Sequence, residues 1–247
     1  MEKSEYKLIY EIEDYHWWYY GLRELARSFI EKSGCQRGMR LLDAGCGSGG
    51  FLESCKEYKP YGMDFSEEAV KYCKKRNLAN IIIASVNNIP FIDYFFNVVI
   101  SLDVLYHRGV SNDADALKEF YRVLNNRGIL ILNLPAYDFL YGNHDKAVHT
   151  RHRYNKQELR QKIEDSGFKI EKITYRNTIL FPFAFLKRYL LKRFFERRDE
   201  PQTELAPLPR LVNTLLAFIL SVEQKLLISG INFPFGLSVF CVCRKIR

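Results

Sequence analysis

Met39-Arg40-Leu41-Leu42-Asp43-Ala44-Gly45-Cys46-Gly47-Ser48-Gly49-Gly50-Phe51 is an apolar strand that runs straight into a glycine-dense turn and opens a helix. Glycine at 45, 47 and 49 removes Cβ where the backbone must bend at positive φ and approach a ligand closely. A helix from about Gly50 would point its free N–H groups at the same place. Downstream, Tyr61-Gly62-Met63-Asp64 ends a second strand on a carboxylate. Such an acid suits a ribose diol, because it accepts both hydroxyl hydrogens. The stretch therefore reads as a nucleotide-cofactor turn.

The spacing narrows the cofactor. A dinucleotide fingerprint, G-x-G-x-x-G, seats a pyrophosphate. Here the pattern is D-x-G-x-G-x-G, with Asp43 just ahead of the turn. A carboxylate there repels a pyrophosphate and suits a ligand carrying an ammonium and a sulfonium. Residues 39–134 resemble the core of a class I S-adenosylmethionine-dependent methyltransferase. The match comprises the first motif at Asp43–Gly49, the ribose acid Asp64, Ile89-Pro90-Phe91, the run Val98-Val99-Ile100-Ser101-Leu102-Asp103-Val104-Leu105-Tyr106-His107, and the helix from Ala116 to Leu124.

The resemblance implies an α/β, Rossmann-like sheet of seven strands in the order 3-2-1-4-5-7-6, the last antiparallel, with helices on both faces. It implies S-adenosylmethionine as cofactor and no metal. Asp43 and the backbone of Gly45, Gly47 and Gly49 would meet the aminoacyl end, Asp64 the ribose and Phe65 the adenine. Ser85 and Val86 would lie at the adenine amine, where the family often has an aspartate, and Leu102 at the end of the fourth strand. Two further departures are Phe96-Asn97 for Phe-Asp and Asn126-Arg127-Gly128 for Pro-Gly-Gly; both read as turn variations.

Periodicity places strands near 40–44, 59–63, 80–84, 97–102, 128–134, 168–175 and 237–244, with helices between most of them. Alternation of this kind means a parallel sheet, whose ligands bind beyond the carboxyl ends of the strands at the switch between strands 1 and 4. The chain divides into an N-terminal helical cap (1–35), a core (36–175 and 236–247) and an insertion (176–235) that replaces a short hairpin. An insertion that long is usually functional.

At 247 residues and 47% hydrophobic, the chain suits one such domain with appendages. Its six cysteines contain no C-x-x-C pair, and Met1-Glu2-Lys3-Ser4-Glu5 has no apolar leader character. Both point to the cytoplasm. The net charge of +8 favours an anionic partner, without choosing among nucleic acid, phospholipid and a phosphorylated substrate.

Methyl transfer from a sulfonium asks the protein mainly to position the acceptor and to take its proton. Beyond strand 5 the chain reads His144-Asp145-Lys146-Ala147-Val148-His149-Thr150-Arg151-His152-Arg153-Tyr154. His144 is the first candidate general base, with Asp145 fixing its tautomer, and His107 the second. Arg151 and Arg153 could clamp a phosphate or carboxylate. With Tyr106, His149 and Tyr154 they form the acceptor-binding set. This run, with His16-Trp17-Trp18, resembles a subgroup that includes quinone-type O-methyltransferases and enzymes of lipid and glycan assembly. By that resemblance Trp17 and Trp18 shield the cofactor and Arg23 meets the methionine carboxylate.

The insertion carries Phe181 to Arg198, with Lys187, Arg188, Lys192, Arg193, Arg197 and Arg198 among apolar residues, and then Leu211 to Leu226. Neither segment reads as long enough to span a bilayer. Apolar residues at 211, 215, 218, 222 and 226 give the second helix one face to bury, so the pair reads as a lid or as a peripheral contact with the inner face of an anionic membrane. The leading function is methyl transfer to a small, lipid-linked or glycan-linked acceptor, at oxygen. An RNA methyltransferase and a noncatalytic cofactor-binding partner subunit are the alternatives. Nucleic acid is disfavoured because Ser101-Leu102-Asp103-Val104 is not the Pro-Pro-aromatic motif of base amine methylation, and no RNA-binding module is present.

Overall fold

The computed structural model describes residues 2–186 and 205–246. Two helices open the chain, α1 (Lys3–Ile12) and α2 (Trp17–Lys32). There follow β1 (Arg40–Ala44), α3 (Gly50–Glu53), β2 (Lys59–Asp64), α4 (Glu67–Lys75), β3 (Ile81–Ile83), β4 (Phe96–Leu102), α5 (Asp113–Val123), β5 (Leu124–Pro135), α6 (Asn143–Ala147), α7 (Lys156–Asp165) and β6 (Phe168–Arg176). Residues 181–186 are helical (α8), and α9 (Arg210–Ile228) leads to β7 (Ser238–Lys245).

The seven strands form one sheet in the order β3-β2-β1-β4-β5-β7-β6, the order the sequence implies. β1 to β5 pair in parallel, and β7 slots antiparallel between β5 and β6. The central strands are buried on both faces and so read as continuous Val, Ile and Leu runs. Each face has its own core. Leu42, Val99, Phe120, Leu130 and Leu159 belong to one; Leu25, Leu41, Val98, Ile100 and Phe240 belong to the other.

Helix starts follow ordinary capping chemistry: Ser66, Asn112 and Asn155 each accept a backbone N–H of the first turn of α4, α5 and α7. β5 begins four residues earlier than the periodicity predicts, because Leu124 pairs with Phe96 ahead of an irregularity in register, and Asn126-Arg127-Gly128 lies inside the strand.

The N-terminal helices and the segment before β7 are one packed unit. Gly21 lies against Leu220 and Gln224, Gln224 Nε2 donates to the Gly21 carbonyl at 2.6 Å, and the Trp17 N–H donates to Asn213 Oδ1 at 2.9 Å.

Two expectations for α9 fail. Its 19 residues are long and apolar enough to cross a membrane by length and composition. The stripe 211-215-218-222-226 is also its exposed face, while Leu220, Glu223 and Leu227 are buried. The physical reason is that α9 is apolar nearly all round, so the interrupted set 213-220-224-227 could pack on α2 and leave the stripe outward. The basic residues Lys187 to Arg198 lie outside the described residues.

Candidate active site

The ends of β1 and β2 and the turn after α1 bring three carboxylates to one place. Gly45 and Gly49 hold φ of +94° and +86°. A Cβ on Gly45 would strike Val104, and one on Gly49 would strike Leu78 and Cys73, whereas at Gly47, also at positive φ, it would meet nothing within 4 Å. The first two glycines are thus required by fold and packing, and the third leaves backbone open to a ligand. Asp64 is held in place by the Gly47 N–H on Oδ2 at 3.0 Å and the Ser66 N–H on Oδ1 at 2.9 Å. Glu13, from the turn after α1, takes the Ser48 hydroxyl at 2.5 Å and Arg76 at 2.9 Å.

Burial raises the pKa of all three acids. Asp43 is pushed to about 8, by burial first and then by Asp64 and Glu13 beside it; burial also lifts Asp64 and Glu13, against hydrogen bonds that lower them. A site that crowds three carboxylates is unsuited to pyrophosphate and is relieved by a cationic ligand. This donor set, with the Asp64 carboxylate beside an open glycine, fits S-adenosylmethionine.

The carboxylates open into a cavity of about 660 Å³, within the size range of small-molecule sites. Trp17, Arg23, Asp43, Gly45, Gly47, Asp64, Phe65, Ser85, Val86 and Leu102 line it; Gly49 does not and instead caps α3. Arg23 stands in the wall with its guanidinium tied to the carbonyls of Glu13 at 2.6 Å and Asp14 at 3.2 Å. Ser85 accepts the Asn87 N–H at 3.2 Å, which fixes the loop at the Phe65 end.

The rest of the lining combines polar groups with aliphatic side chains. Asp103 follows β4 with φ of +58°, in the left-handed region that side chains seldom adopt. Its Oδ1 accepts Asn133 Nδ2 at 2.8 Å. Burial raises it to about 6, against the lowering effect of Arg176, Asn133 and Arg153. Arg176 is 1% exposed, donates to Asn133 Oδ1 at 3.4 Å and lies 5.4 Å from the Trp18 ring centre. Its Nη2 and the Thr150 hydroxyl are buried with no hydrogen-bond partner among the described residues. Thr150 lines the cavity, as do Tyr19 and Tyr106, two half-buried residues whose phenol pKa is raised by desolvation. Leu180, Phe183, Ala184, Leu205, Leu208 and Leu216 supply the aliphatic part of the lining.

Several predicted residues take other roles. Asp145 lines the cavity, but its oxygens receive Arg153 Nε at 2.9 Å, Arg153 Nη2 at 3.0 Å and the Gly142 N–H at 2.8 Å. The fork-shaped guanidinium of Arg153 thus meets both carboxylate oxygens. His144 lines the same wall.

His107 sits at the Phe65 end, 5.3 Å ring to ring, and its Nδ1 accepts the Gly109 N–H at 2.8 Å. Burial lowers its pKa to about 4, so it is a weak base. Arg151 bonds Asp113 at 2.7 Å and the Val110 carbonyl at 3.0 Å, His149 pairs with Glu2 at 2.9 Å, and Tyr154 donates to Asp113 at 2.8 Å. These three hold the loop and do not line the cavity; Tyr106 and Arg153 do. Asp113, His152 and Glu158 bring possible metal ligands within 4.8 Å of one another, but Arg151 and Lys162 already answer the two acids.

Glu13, Asp103, Thr150 and Arg176 are the site residues that sequence reasoning passed over. Asp103 had a usable signal, an acid immediately beyond a central strand at the switch point. Glu13, Thr150 and Arg176 had none.

Residues 42–132, from β1 to β5, match the model of the family described as methyltransferase domain. This stretch is a methyltransferase domain. The described residues have the fold of such enzymes: the chain aligns with phosphoethanolamine N-methyltransferase 2 of Haemonchus contortus, solved with S-adenosylmethionine, at a TM-score of 0.57 and 18% identity over 91% of this chain and 52% of that one. Among curated relatives it is 30% identical to an uncharacterized protein of Methanocaldococcus jannaschii over 141 residues, 57% of this chain and 58% of the relative. It is also 30% identical to the tRNA (carboxymethyluridine(34)-5-O)-methyltransferase of Arabidopsis thaliana over 100 residues, 40% of this chain and 24% of the relative. The matched stretch supplies Asp43, the glycine turn, Asp64, Phe65, Ser85, Val86 and Leu102 to the cavity, while Glu13, Trp17 and Arg23 precede it. The aliphatic lining from residues 180 onward lies beyond it.

Proposed function

We propose that the chain is a cytoplasmic S-adenosylmethionine-dependent methyltransferase that methylates an oxygen on a small or lipid-linked acceptor, and that Asp103 receives the acceptor's proton. The observation that carries this reading is a cavity lining that combines a half-buried carboxylate, Asp103, with aliphatic side chains from residues 180 onward. An acceptor with a hydroxyl head and an apolar body matches both. Six free thiols suit the reducing cytoplasm.

S-adenosylmethionine supplies the electrophilic methyl group when bound. The chain's own residues do the rest. Glu13, Asp43 and Asp64 would hold the cationic and ribose parts, and Trp17 with Trp18 would keep water out. The acceptor oxygen would take the methyl carbon as the carbon–sulfur bond breaks with its electron pair left on sulfur, and the acceptor's O–H proton would pass to a carboxylate oxygen of Asp103. That acid is suited to the task because its pKa of about 6 leaves it ionised at neutral pH yet basic enough to take a proton. Arg176 and Asn133 hold the carboxylate in place, and Thr150 offers a hydroxyl to the acceptor head.

The test is transfer of labelled methyl from the cofactor to separated lipid, glycan and RNA extracts. Label in the organic-soluble lipid fraction supports the reading. The tRNA-modifying relatives and the net charge of +8 favour a second one, and label confined to RNA would replace the first with it. No transfer with intact cofactor binding would favour the noncatalytic subunit.

A further inference from the structure

The exposed face of α9 has no partner within the described fold. Leu211, Leu215 and Phe218 are 86%, 59% and 64% exposed, and Val222 and Leu226 continue the same stripe. The other side is occupied by α2, so this helix is apolar on both faces, a pattern that soluble surface helices do not show. Phe183 of α8, 73% exposed, and Leu186 add to the apolar surface. Phe183 and Leu216 also wall the cavity, so the outward surface and the acceptor end share the same two helices.

Two kinds of occupant could cover such a face, a second copy of the chain or a lipid surface. Charge separates them. Each copy carries +8, so self-association sets like charges against each other, while an anionic bilayer attracts them. Arg210 begins α9 and Lys225 lies in its last turn. In sequence, the segment that continues from Leu186 holds Lys187, Arg188, Lys192, Arg193, Arg197 and Arg198.

The way α9 is tied down decides how it meets the lipid. Its buried Glu223 accepts the backbone N–H groups of Asn177, Thr178 at 2.8 Å and Ile179 at 3.2 Å, closing the turn after β6. Asn213 and Gln224 are bonded to the Tyr15 and Gly21 carbonyls at 2.9 and 2.6 Å. Crossing a bilayer would strip all of these bonds and move a carboxylate into hydrocarbon. Lying in the interface costs none of them.

We propose that the stripe Leu211, Leu215, Phe218, Val222 and Leu226, with Phe183 and Leu186, docks flat on an anionic membrane surface and opens the acceptor end of the cavity toward the lipid. The purpose rests on the lipid-acceptor reading, but docking is measured without turnover, so the two can fail separately.

The experiment is flotation of the full chain with phosphatidylglycerol-containing vesicles and with pure phosphatidylcholine vesicles. The wild type should float with the former, less with the latter, and be released from the anionic vesicles by raised salt. Leu211→Glu/Leu215→Glu/Phe218→Glu should lower vesicle affinity by at least about tenfold while S-adenosylhomocysteine affinity is unchanged. The single variant Phe218→Ser should give a smaller loss in the same direction, which keeps the test open if the triple variant misfolds. A wild type that never floats overturns the proposal. So does a variant that floats as well as wild type, or a wild-type dimer in sedimentation that the stripe substitutions convert to monomer.

Discussion

At the cofactor end of the cavity, Asp43 and Asp64 stand at the ends of neighbouring strands with the glycine turn between them, all within 22 residues of chain. At the acceptor end, Tyr19, Asp103, Thr150 and Leu216 come from four separate elements and loops spread over most of the chain, and Arg176 backs them through Asn133. The first end is fixed by backbone: a parallel register, positive φ at three glycines and N–H groups aimed inward. The second is fixed by side chains, one carboxylate held through Asn133 to Arg176 and a set of aliphatic groups in the lining. Backbone sites preserve one ligand while side-chain sites can change acceptor, so the two ends should respond to substitution in opposite ways.

The sharpest break between the ends is Asp103→Asn. It keeps the shape and the Asn133 contact but removes the proton acceptor, so turnover should fall by about 10²-fold or more while S-adenosylhomocysteine affinity, read by calorimetry, stays the same. In the wild type, activity should rise with pH through about 6 as Asp103 ionises, and the variant should lose that limb. His144→Ala, in contrast, should retain turnover within a few-fold. If the His144 variant falls as far as Asp103→Asn, the proton goes to the histidine and the acceptor end has been misassigned.

Next in size is the buried Asp145–Arg153 pair beneath the acceptor loop. Asp145→Ala leaves a guanidinium buried without its carboxylate, which costs about 3–5 kcal/mol. Thermal or urea unfolding should show that loss. A stability change under 1 kcal/mol would mean that Arg153 is freed toward the cavity, and would return it to the acceptor-binding set.

A smaller effect is expected at the cofactor end. Asp64→Ala should weaken binding of S-adenosylmethionine by about 1–3 kcal/mol, because two ribose hydroxyls lose their acceptor and the Gly47 N–H loses its tether. Unchanged affinity by calorimetry would remove Asp64 from the site.

The same contrast sets what the sequence could tell. Sheet order, cofactor strands and the Asp43 and Asp64 positions were legible because each depends on local pattern: alternating β and α, glycine spacing, an acid at a strand end. The acceptor end was not. His144-Asp145 reads as an oriented base only if nothing else claims the carboxylate, and Arg153, eight residues on, claims both oxygens. Arg151 and Tyr154 looked equally well placed, yet both turn to Asp113, a residue 38 or more positions earlier. The face of α9 was misjudged for a related reason. Periodicity finds an apolar stripe but cannot say which of two apolar stripes will meet α2.

The smallest expected effect concerns Asp43 and pH. Its folded pKa of about 8 lies above the ordinary carboxylate value, so the folded state without ligand holds a proton that the unfolded chain gives up. The stabilising contribution is therefore complete below about pH 4 and is lost as pH rises toward 8. Unfolding of the ligand-free protein should show a declining component between those limits, diminished in Asp43→Asn. Binding runs the other way. A sulfonium favours the ionised acid, and the neutral thioether of S-adenosylhomocysteine favours it less, since only its ammonium remains. Raising pH from 6 to 9 should thus shift preference toward S-adenosylmethionine over S-adenosylhomocysteine by up to about tenfold. Calorimetric titration of both ligands at each pH reads that ratio directly. A ratio that stays flat in the wild type would mean that Asp43 is neutral throughout, leaving Glu13 and Asp64 to hold the cation.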